Sequence, residues 1–406
     1  MAAGSRGGRR STGCPAVLPG VTGISVAVPA FLAGALVSLA TSWVLVSRLE
    51  RVGERLGLSE ALLGIVAALA ADAPEVTAAV TAMAGHQQRL GAGVVIGSNV
   101  FNLAALLGLG AVAAGRIRLH RKVVVLGGAV ASCVAVVCLV VVLGLMPPVA
   151  GCGLALVAMA LYAIVLGAGP LGLGRFPLPR AWISWLRSAV AEEELELEAA
   201  IRPKRASRQD VVVAVASLLV VIVASVTMER AASALGTRFA VPEIVVGGLV
   251  LAAVTSLPNA VAAIYLAARG RGAATFSIAM NSNTLNVTIG LLIPAAVIGL
   301  GRPAGHTTLI AAWYVGLTAV ILAFAYHDRE IRREIGVLII GAYLVFVVSL
   351  LVSGHAAWLQ SWIAVAAGAA AAVVFGVRLL IARHERPGDA GTRPASLSHP
   401  GGAARD

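Results

Sequence analysis

The chain has 406 residues, of which 59% are hydrophobic and only 12% are charged, and its formal net charge is +12. A soluble domain is roughly 45–50% apolar and about 25% charged, so this composition excludes a soluble enzyme, a nucleic-acid-binding protein and a disordered chain. It predicts a polytopic membrane protein whose partner is the lipid bilayer, with no nucleic acid.

Spanning helices need about 20 mostly apolar residues. The first apolar segment is too long for the hydrophobic region of a signal peptide, so we interpret it as a spanning helix. The sequence then predicts an all-α polytopic membrane protein of about 11 spans, at 24–47, 59–84, 92–115, 123–146, 149–169, 211–228, 241–268, 273–300, 306–326, 335–354 and 357–381.

The first ten spans fall into two groups of five, with a polar linker between them. The linker has an acidic run followed by a basic run, and we interpret it as a solvated, partly helical connection, with a regulatory or ion-sensing segment as the alternative. We therefore predict an N-terminal tail (1–23), a first five-helix half (24–169), the linker (170–210), a second five-helix half (211–354), an extra transmembrane helix (355–383) and a disordered tail (384–406).

Lysine and arginine are distributed unevenly between the predicted loops. With the N-terminus outside, 24 of the 31 basic residues fall on the cytoplasmic side and the other seven on the outside. Cytoplasmic loops of membrane proteins carry an excess of Lys and Arg. We expect an integral protein of the plasma membrane, with the N-terminus outside and the linker in the cytoplasm.

Two parts of the chain carry the same pattern of polar residues and proline. Ala-Asp-Ala-Pro-Glu at 71–75 precedes Gly-Ser-Asn-Val-Phe-Asn at 97–102, and Thr-Ser-Leu-Pro-Asn at 255–259 precedes Asn-Ser-Asn-Thr-Leu-Asn at 281–286. Both motifs recur at the same offset of 184 residues, which indicates an internal duplication. The copies are an odd number of spans apart, so they run in opposite directions, as in the inverted repeats of many secondary transporters.

The duplicated motifs carry oxygen ligands at membrane depth. Asp72 and Glu75 are the acidic residues nearest the middle of a predicted span, and they should face the bundle interior because a carboxylate is costly in lipid. Pro74 and Pro258 interrupt their helices, which is tolerated where the freed backbone is buried in protein or lines a cavity. Hard cations such as Na⁺ and Ca²⁺ bind oxygen. The pattern therefore predicts transported cations, with no cofactor.

At these residues the chain resembles the sodium/calcium exchanger family of cation antiporters. That family has two alpha-repeats, each with a Gly-Thr-Ser-Leu-Pro-Glu element and a Gly-Ser-Asn-x-x-Asn (or Asp) element. Residues 255–258 match four places of the first element, and residues 97–102 match the second throughout. The resemblance implies an inverted-repeat bundle of five plus five transmembrane helices, to which this chain adds one C-terminal helix.

The resemblance also implies a set of ion ligands and a mechanism. Alternating access would let Na⁺ or H⁺ moving one way drive a cation such as Ca²⁺ the other way. Glu75, Ser98 and Asn102 would line one side of the site and Thr255, Ser282 and Asn286 the other, with backbone oxygens near Ala68 and Ala252. The same motifs add Asp72, Ser256 and Asn259 as candidate metal ligands.

The sequence departs from the family pattern at its acidic positions. Asn259 replaces the second Glu of the family, Ala71 replaces a Thr, and Asp72 replaces a Ser, so both carboxylates lie in the first repeat. In addition, Asn281 replaces the Gly that opens the second element. Two carboxylates three positions apart repel each other, which favours H⁺ as a coupling ion.

Three functions are compatible with these departures, and the cation antiporter leads. The loss of the second-repeat acid keeps open a degenerate protein that binds a cation without exchange, as a sensor or a leak. A membrane-embedded enzyme is less favoured, because the predicted spans contain no His or Cys cluster and no nucleophile motif.

Overall fold

The structure, a computed structural model, describes residues 23–56, 60–175, 177, 179–198, 207–301 and 305–352. The first eight helices are α1 (Ile24–Arg55), α2 (Glu60–Ala71), α3 (Ala73–Ala84), α4 (Gln88–Asn102), α5 (Gly110–Ala114), α6 (Arg121–Val142), α7 (Pro148–Gly172) and α8 (Arg180–Glu198). The later helices are α9 (Arg208–Arg238), α10 (Glu243–Val245), α11 (Ala252–Thr255), α12 (Leu257–Ala268), α13 (Gly272–Leu285), α14 (Ile293–Ile298), α15 (Gly305–Asp328) and α16 (Arg333–Val352).

Within these described ranges, eight helices are long and apolar enough to cross a membrane, and the count is ten if each of two bent pairs forms one span. These helices correspond to the first ten predicted spans. The predicted eleventh span, 357–381, and both predicted tails except Gly23 lie outside the described residues. The division of the chain into two halves, a linker and an extra helix stays a prediction.

Some helices are longer than the spans predicted for them. For example, α9 continues to Arg238, beyond the predicted span 211–228. Glu229 and Arg230 lower the local hydropathy, yet Glu229 is buried inside the bundle. A hydropathy pattern therefore marks an apolar stretch, while the hydrogen-bonded helix extends beyond it.

Two of the spans are bent helices. Gly64–Ala71 of α2 meets α3 at an angle of 51°, and 243–255 meets α12 at 49°. Pro74 and Pro258 stand in the first turns of α3 and α12, where the missing N–H of proline is tolerated. The helices are therefore interrupted at the two prolines, as predicted.

Three π-helical segments extend the helices of the duplicated motifs. Leu103–Leu109 follows α4, Asn286–Leu292 follows α13, and Val246–Leu251 joins α10 to α11. A π-helical turn is rare and often lies at a functional site. The segment after α4 begins directly after Asn102, and the segment after α13 begins at Asn286, so both begin where a motif ends.

The two copies of the repeat run in opposite directions. Arg48, near the end of α1, pairs with Asp210, near the start of α9, at 2.7 Å. Farther along, the hydroxyls of Ser38 and Ser225 are 3.1 Å apart. Because the end of α1 meets the start of α9, the two helices are antiparallel. This arrangement confirms the inverted repeat.

Two short strands are the exception to the all-helical prediction. β1 (Arg116–Arg118) and β2 (Glu330–Arg332) pair in antiparallel register, with Ile117 opposite Ile331. Both isoleucines are buried. The strands tie the loop after α5 to the loop after α15 at one end of the bundle.

The predicted linker contains α8, which is not wholly solvated. This helix packs against α6 and α7, and its residues Ala189, Val190 and Glu193 are buried. Leu186 and Val190 are spaced one helical turn apart, which gives α8 an apolar face. The acidic run is therefore partly covered by the bundle.

The crossing of α4 over Val246–Leu251 forms the centre of the fold. A Cβ atom added at Gly97 would overlap the backbone of Gly248, so only glycine allows this approach. The close crossing holds the second half of α4, which carries the polar motif, against the bent helix of the other repeat.

Candidate functional site

Four polar residues occupy equivalent places at the two bends. Asp72 lies between α2 and α3, and Glu75 lies in the first turn of α3. Ser256 and Asn259 hold the same positions 184 residues later, between α11 and α12 and in the first turn of α12. All four side chains are buried. The two bends thus face each other inside the bundle.

The bends contact each other in a crossed pattern. Asn259 Nδ2 donates a hydrogen bond to Asp72 Oδ1 at 2.6 Å, and Ser256 Oγ donates to Glu75 Oε1 at 2.9 Å. The internal repeat relates these two contacts, since Asp72 is equivalent to Ser256 and Glu75 to Asn259. In both contacts the acceptor is a carboxylate of the first repeat. The negative charge therefore lies on one side of the site.

Ser282 joins the bends to the helices that carry the second motif. Its hydroxyl donates to Asp72 Oδ1 at 2.6 Å. The same oxygen accepts from Asn102 Nδ2 at 3.1 Å and from Asn259 Nδ2 at 3.3 Å. These contacts connect α3, α4, α12 and α13 in one buried polar network.

Asn99 and Asn283 form a reciprocal pair between α4 and α13. Asn99 Nδ2 donates to the Asn283 carbonyl at 3.0 Å, and Asn283 Nδ2 donates to the Asn99 carbonyl at 3.2 Å. Neither was among the predicted ligands. The available signal was their recurrence at the offset of 184 residues in the Ser-Asn pair of both motifs. Their hydrogen bonds indicate that they hold the two helices together.

The remaining predicted ligands are buried but less connected. Asn286 Nδ2 donates to Asn99 Oδ1 at 3.4 Å. Ser98 is fully buried. The hydroxyl of Thr255 donates to the Leu251 carbonyl of its own helix at 2.9 Å. The structure thus buries all nine candidate ligands and joins most of them across the repeats.

The backbone oxygens named by the resemblance are not left free by the bends. The Ala68 carbonyl accepts from the Asp72 N–H at 2.9 Å, and the Ala252 carbonyl accepts from the Ser256 N–H at 3.2 Å. The helical hydrogen bonds therefore continue up to each bend. Each carbonyl keeps a second lone pair.

Several oxygens of the site have no hydrogen-bond partner, although they are buried from solvent. Burying such an atom is costly unless something pairs with it. Oxygen atoms of this kind suit Na⁺ or Ca²⁺, which take several oxygen ligands. In the described part of the chain they are Asp72 Oδ2, Glu75 Oε2, Ser98 Oγ, Asn102 Oδ1 and Asn286 Oδ1.

The site also lacks a compensating positive charge. Among the described residues, neither Asp72 nor Glu75 forms an ion pair with Lys, Arg or His. An uncompensated buried carboxylate is strongly unfavourable. Acidic residues inside a membrane bundle often mark an ion pathway. The arrangement can therefore hold a cation between two carboxylates and neutral oxygens.

The sequence matches a known family over two long ranges. The model of the family described as sodium/calcium exchanger protein matches residues 26–168 and 210–352. The sodium/potassium/calcium exchanger 2 of Gallus gallus is 30% identical over 121 residues, which cover 28% of this chain and 19% of the relative. The protein of the same name from Homo sapiens is also 30% identical, over 28% of this chain and 18% of the relative. The match thus spans about a fifth of the length of these relatives.

A solved structure shares the fold. The crystal structure of the H⁺/Ca²⁺ exchanger CAX superposes with a TM-score of 0.65 at 14% sequence identity, covering 88% of each chain. At this identity the likeness concerns the fold. It agrees with the inverted helical bundle described above.

Proposed function

The chain belongs to the sodium/calcium exchanger family, whose members are transporters rather than enzymes, and we propose that it is a secondary active antiporter. It exchanges Na⁺ or H⁺ for a cation such as Ca²⁺. The observation that carries this proposal is the buried set of oxygens between the two bends. It contains two carboxylates that have no basic partner among the described residues.

In this proposal the cargo ion binds between the repeats. Asp72 and Glu75 supply charge from the first repeat, together with the neutral oxygens of Ser98 and Asn102. Thr255, Ser256, Asn259, Ser282 and Asn286 supply neutral groups from the second repeat. Because amides and hydroxyls bind Ca²⁺ less tightly than carboxylates, the site favours release as well as binding.

Alternating access then follows from the symmetry of the two bent helices. The antiparallel repeats hold equivalent bends, which lie on opposite sides of the proposed site. Movement of one bent helix exposes the site to one aqueous phase, and movement of the other exposes it to the opposite phase. The ion replaces the hydrogen bonds from Asn259 and Ser256 that now occupy one oxygen of each carboxylate.

Tracer counterflow in proteoliposomes tests the proposal. Vesicles loaded with unlabelled Ca²⁺ should transiently concentrate radioactive Ca²⁺ from outside, because an exchanger carries ions in both directions at the same site. Glu75→Gln should abolish the accumulation. Glu334→Gln, at an exposed position in the first turn of α16, is the matched control and should preserve it. Absence of counterflow in the unaltered protein would contradict the proposal.

A leak or sensor is the second candidate, and Asn259 favours it. The family carries a carboxylate at this position, whereas this chain carries an amide that donates to Asp72 at 2.6 Å. When the membrane potential is held at zero by valinomycin with equal K⁺ on both sides, a leak lets Ca²⁺ run down its gradient without concentrating tracer. A sensor binds Ca²⁺ without any flux. Bound Ca²⁺ would raise the melting temperature in both cases, so the flux measurement separates the candidates.

We further propose the plasma membrane as the location, with the N-terminus outside and the linker in the cytoplasm. The uneven distribution of the 31 basic residues supports this orientation. The lipid bilayer and small inorganic cations are then its partners.

A further inference from the structure

A buried acid lies outside the candidate site, on the linker helix. The side chain of Glu193, in the last third of α8, is only 1% exposed. Tyr162 of α7 donates its hydroxyl hydrogen to Glu193 Oε1 at 3.3 Å. Ser277 of α13 lies beside the same carboxyl group. Oε2 has no hydrogen-bond partner in the part of the chain that the structure describes.

The neighbour of this acid has a different environment. Glu192 is half-buried and pairs with Lys122 of α6 at 3.2 Å. Lys122 also contacts Ser188 of α8. The nearby basic side chain is therefore already engaged. No ion pair of Glu193 occurs among the described residues.

Two further helices packed against α8, namely α2 and α13, bring no basic residue. α13 has no ionisable residue from Gly272 to Leu285, and α2 has none after Glu60. By sequence, the charged residues and the tyrosine on the elements packed together here are Arg121 and Lys122 of α6, Tyr162 of α7, Arg175 after α7, Glu60 of α2, and Arg180, Arg187, Glu192, Glu194, Glu196 and Glu198 of α8 itself.

We propose that Glu193 is a second proton-binding site of this protein, and that its protonation holds α8 against α7 and α13. A neutral carboxyl can remain at this dry interface, donating or accepting a hydrogen bond. A carboxylate there lacks a cation, so ionisation favours release of α8 to water. The proton comes from, and returns to, the aqueous phase on the side of the linker.

The electrostatics give the direction and size of the pH dependence of α8 docking. Burial raises the pKa of the Glu193 carboxyl to about 7, and the negative charge of Glu194 adds to this, while Ser277 and Tyr162 oppose it. In released α8 the carboxyl takes the usual pKa of about 4.3. Docking of α8 is thus strongest at pH values below about 4.3. It weakens progressively as the pH rises to about 7. The docking equilibrium should weaken roughly 30-fold between pH 5.5 and pH 8.5.

Docked α8 contacts two helices that lead into the cation site. It packs against α2, which ends next to Asp72, and against α13, which carries Ser282. Proton binding at Glu193 therefore stabilises the positions of α2 and α13 on the side of the linker. This inference concerns α8 and does not require that the protein transports Ca²⁺.

Distance measurement between two spin labels tests the inference in full-length protein in lipid vesicles. Labels are placed at Ser184→Cys of α8 and Arg118→Cys of β1, both exposed positions, after the four native cysteines are replaced by alanine. At pH 5.5 we expect a single docked distance. At pH 8.5 a second, displaced population should appear, in line with the 30-fold change above.

Two single substitutions separate Glu193 from its neighbour. Glu193→Gln, which mimics the protonated acid, should keep the docked distance at both pH values. Glu192→Gln, the matched control, should retain the pH response even though it removes the pair with Lys122. Identical distances at pH 5.5 and pH 8.5 in the otherwise unaltered protein, or a pH response that survives Glu193→Gln, would overturn the inference.

Discussion

Asp72 of the first repeat and Asn259 of the second are joined by a hydrogen bond of 2.6 Å. The equivalent contact, from Ser256 to Glu75, is 2.9 Å long. Both side chains of the first contact differ from the family pattern, which has Ser and Glu in their places. The chain gains a carboxylate at Asp72 and lacks the family's carboxylate at Asn259, so the two departures cancel in charge. Their side chains are also in direct contact.

This relationship predicts that the two substitutions compensate. Asp72→Ser alone should strongly reduce Ca²⁺ counterflow, because a single carboxylate remains. Asp72→Ser combined with Asn259→Glu should restore much of it, since both crossed contacts would then consist of one serine and one glutamate. Initial rates of radioactive Ca²⁺ counterflow in proteoliposomes measure the difference.

Asn259→Glu alone provides the matched comparison. It adds a third carboxylate opposite Asp72, and like charges in one buried site repel. We expect this variant to fold less stably than the double variant. A double variant no more active than Asp72→Ser would refute compensation.

A single substitution should reduce Ca²⁺ transport most strongly at Glu75. Glu75→Gln keeps the volume and removes one of two charges, so Ca²⁺ counterflow should be abolished when initial rates are measured over a range of Ca²⁺ concentrations. The control is Glu334→Gln at the exposed start of α16. Normal affinity in Glu75→Gln would show that this acid is not a ligand.

Gly97 should tolerate no larger side chain. In Gly97→Ala the added methyl group would overlap the backbone of Gly248, and a backbone cannot move aside as a flexible side chain can. We expect a lower melting temperature in detergent, corresponding to about 1–3 kcal/mol. Gly153→Ala in α7 has no atom within 4 Å of the new methyl group and should leave the melting temperature unchanged. Equal melting temperatures for the two variants would contradict the close crossing.

The proposed orientation is tested by labelling single cysteines in intact cells. With the native cysteines replaced, Phe239→Cys should react with an impermeant maleimide, because the end of α9 is expected outside. Ser184→Cys of α8 should react only after the cells are permeabilised. Both residues are exposed in the structure, so burial does not confuse the comparison. Labelling of Ser184→Cys in intact cells would reverse the orientation.

The sequence predicts the parts of this protein that depend on local pattern. Apolar length identifies the spans, and Pro74 and Pro258 mark the bends. The constant offset of 184 residues predicts the inverted repeat, because direction follows from counting spans. Asp72 and Glu75 stand out because carboxylates are rare at membrane depth.

Other parts depend on which surfaces meet in three dimensions. The reciprocal contact of Asn99 and Asn283 arises only when α4 and α13 lie side by side. In the sequence, Glu193 is one member of an acidic run that is expected to be solvated. Its burial follows only from the packing of α8 against α7. Sequence spacing does not specify these contacts, because they join segments that are far apart along the chain.

The central claim is tested most directly by uphill transport. Proteoliposomes containing the protein are given an outward gradient of Na⁺, or separately of H⁺, with equal Ca²⁺ on both sides. The account predicts that internal Ca²⁺ rises above the external concentration under at least one of these gradients, and that Glu75→Gln abolishes the rise. If internal Ca²⁺ stays equal to external Ca²⁺ under both gradients, the protein is not a Na⁺- or H⁺-driven Ca²⁺ antiporter.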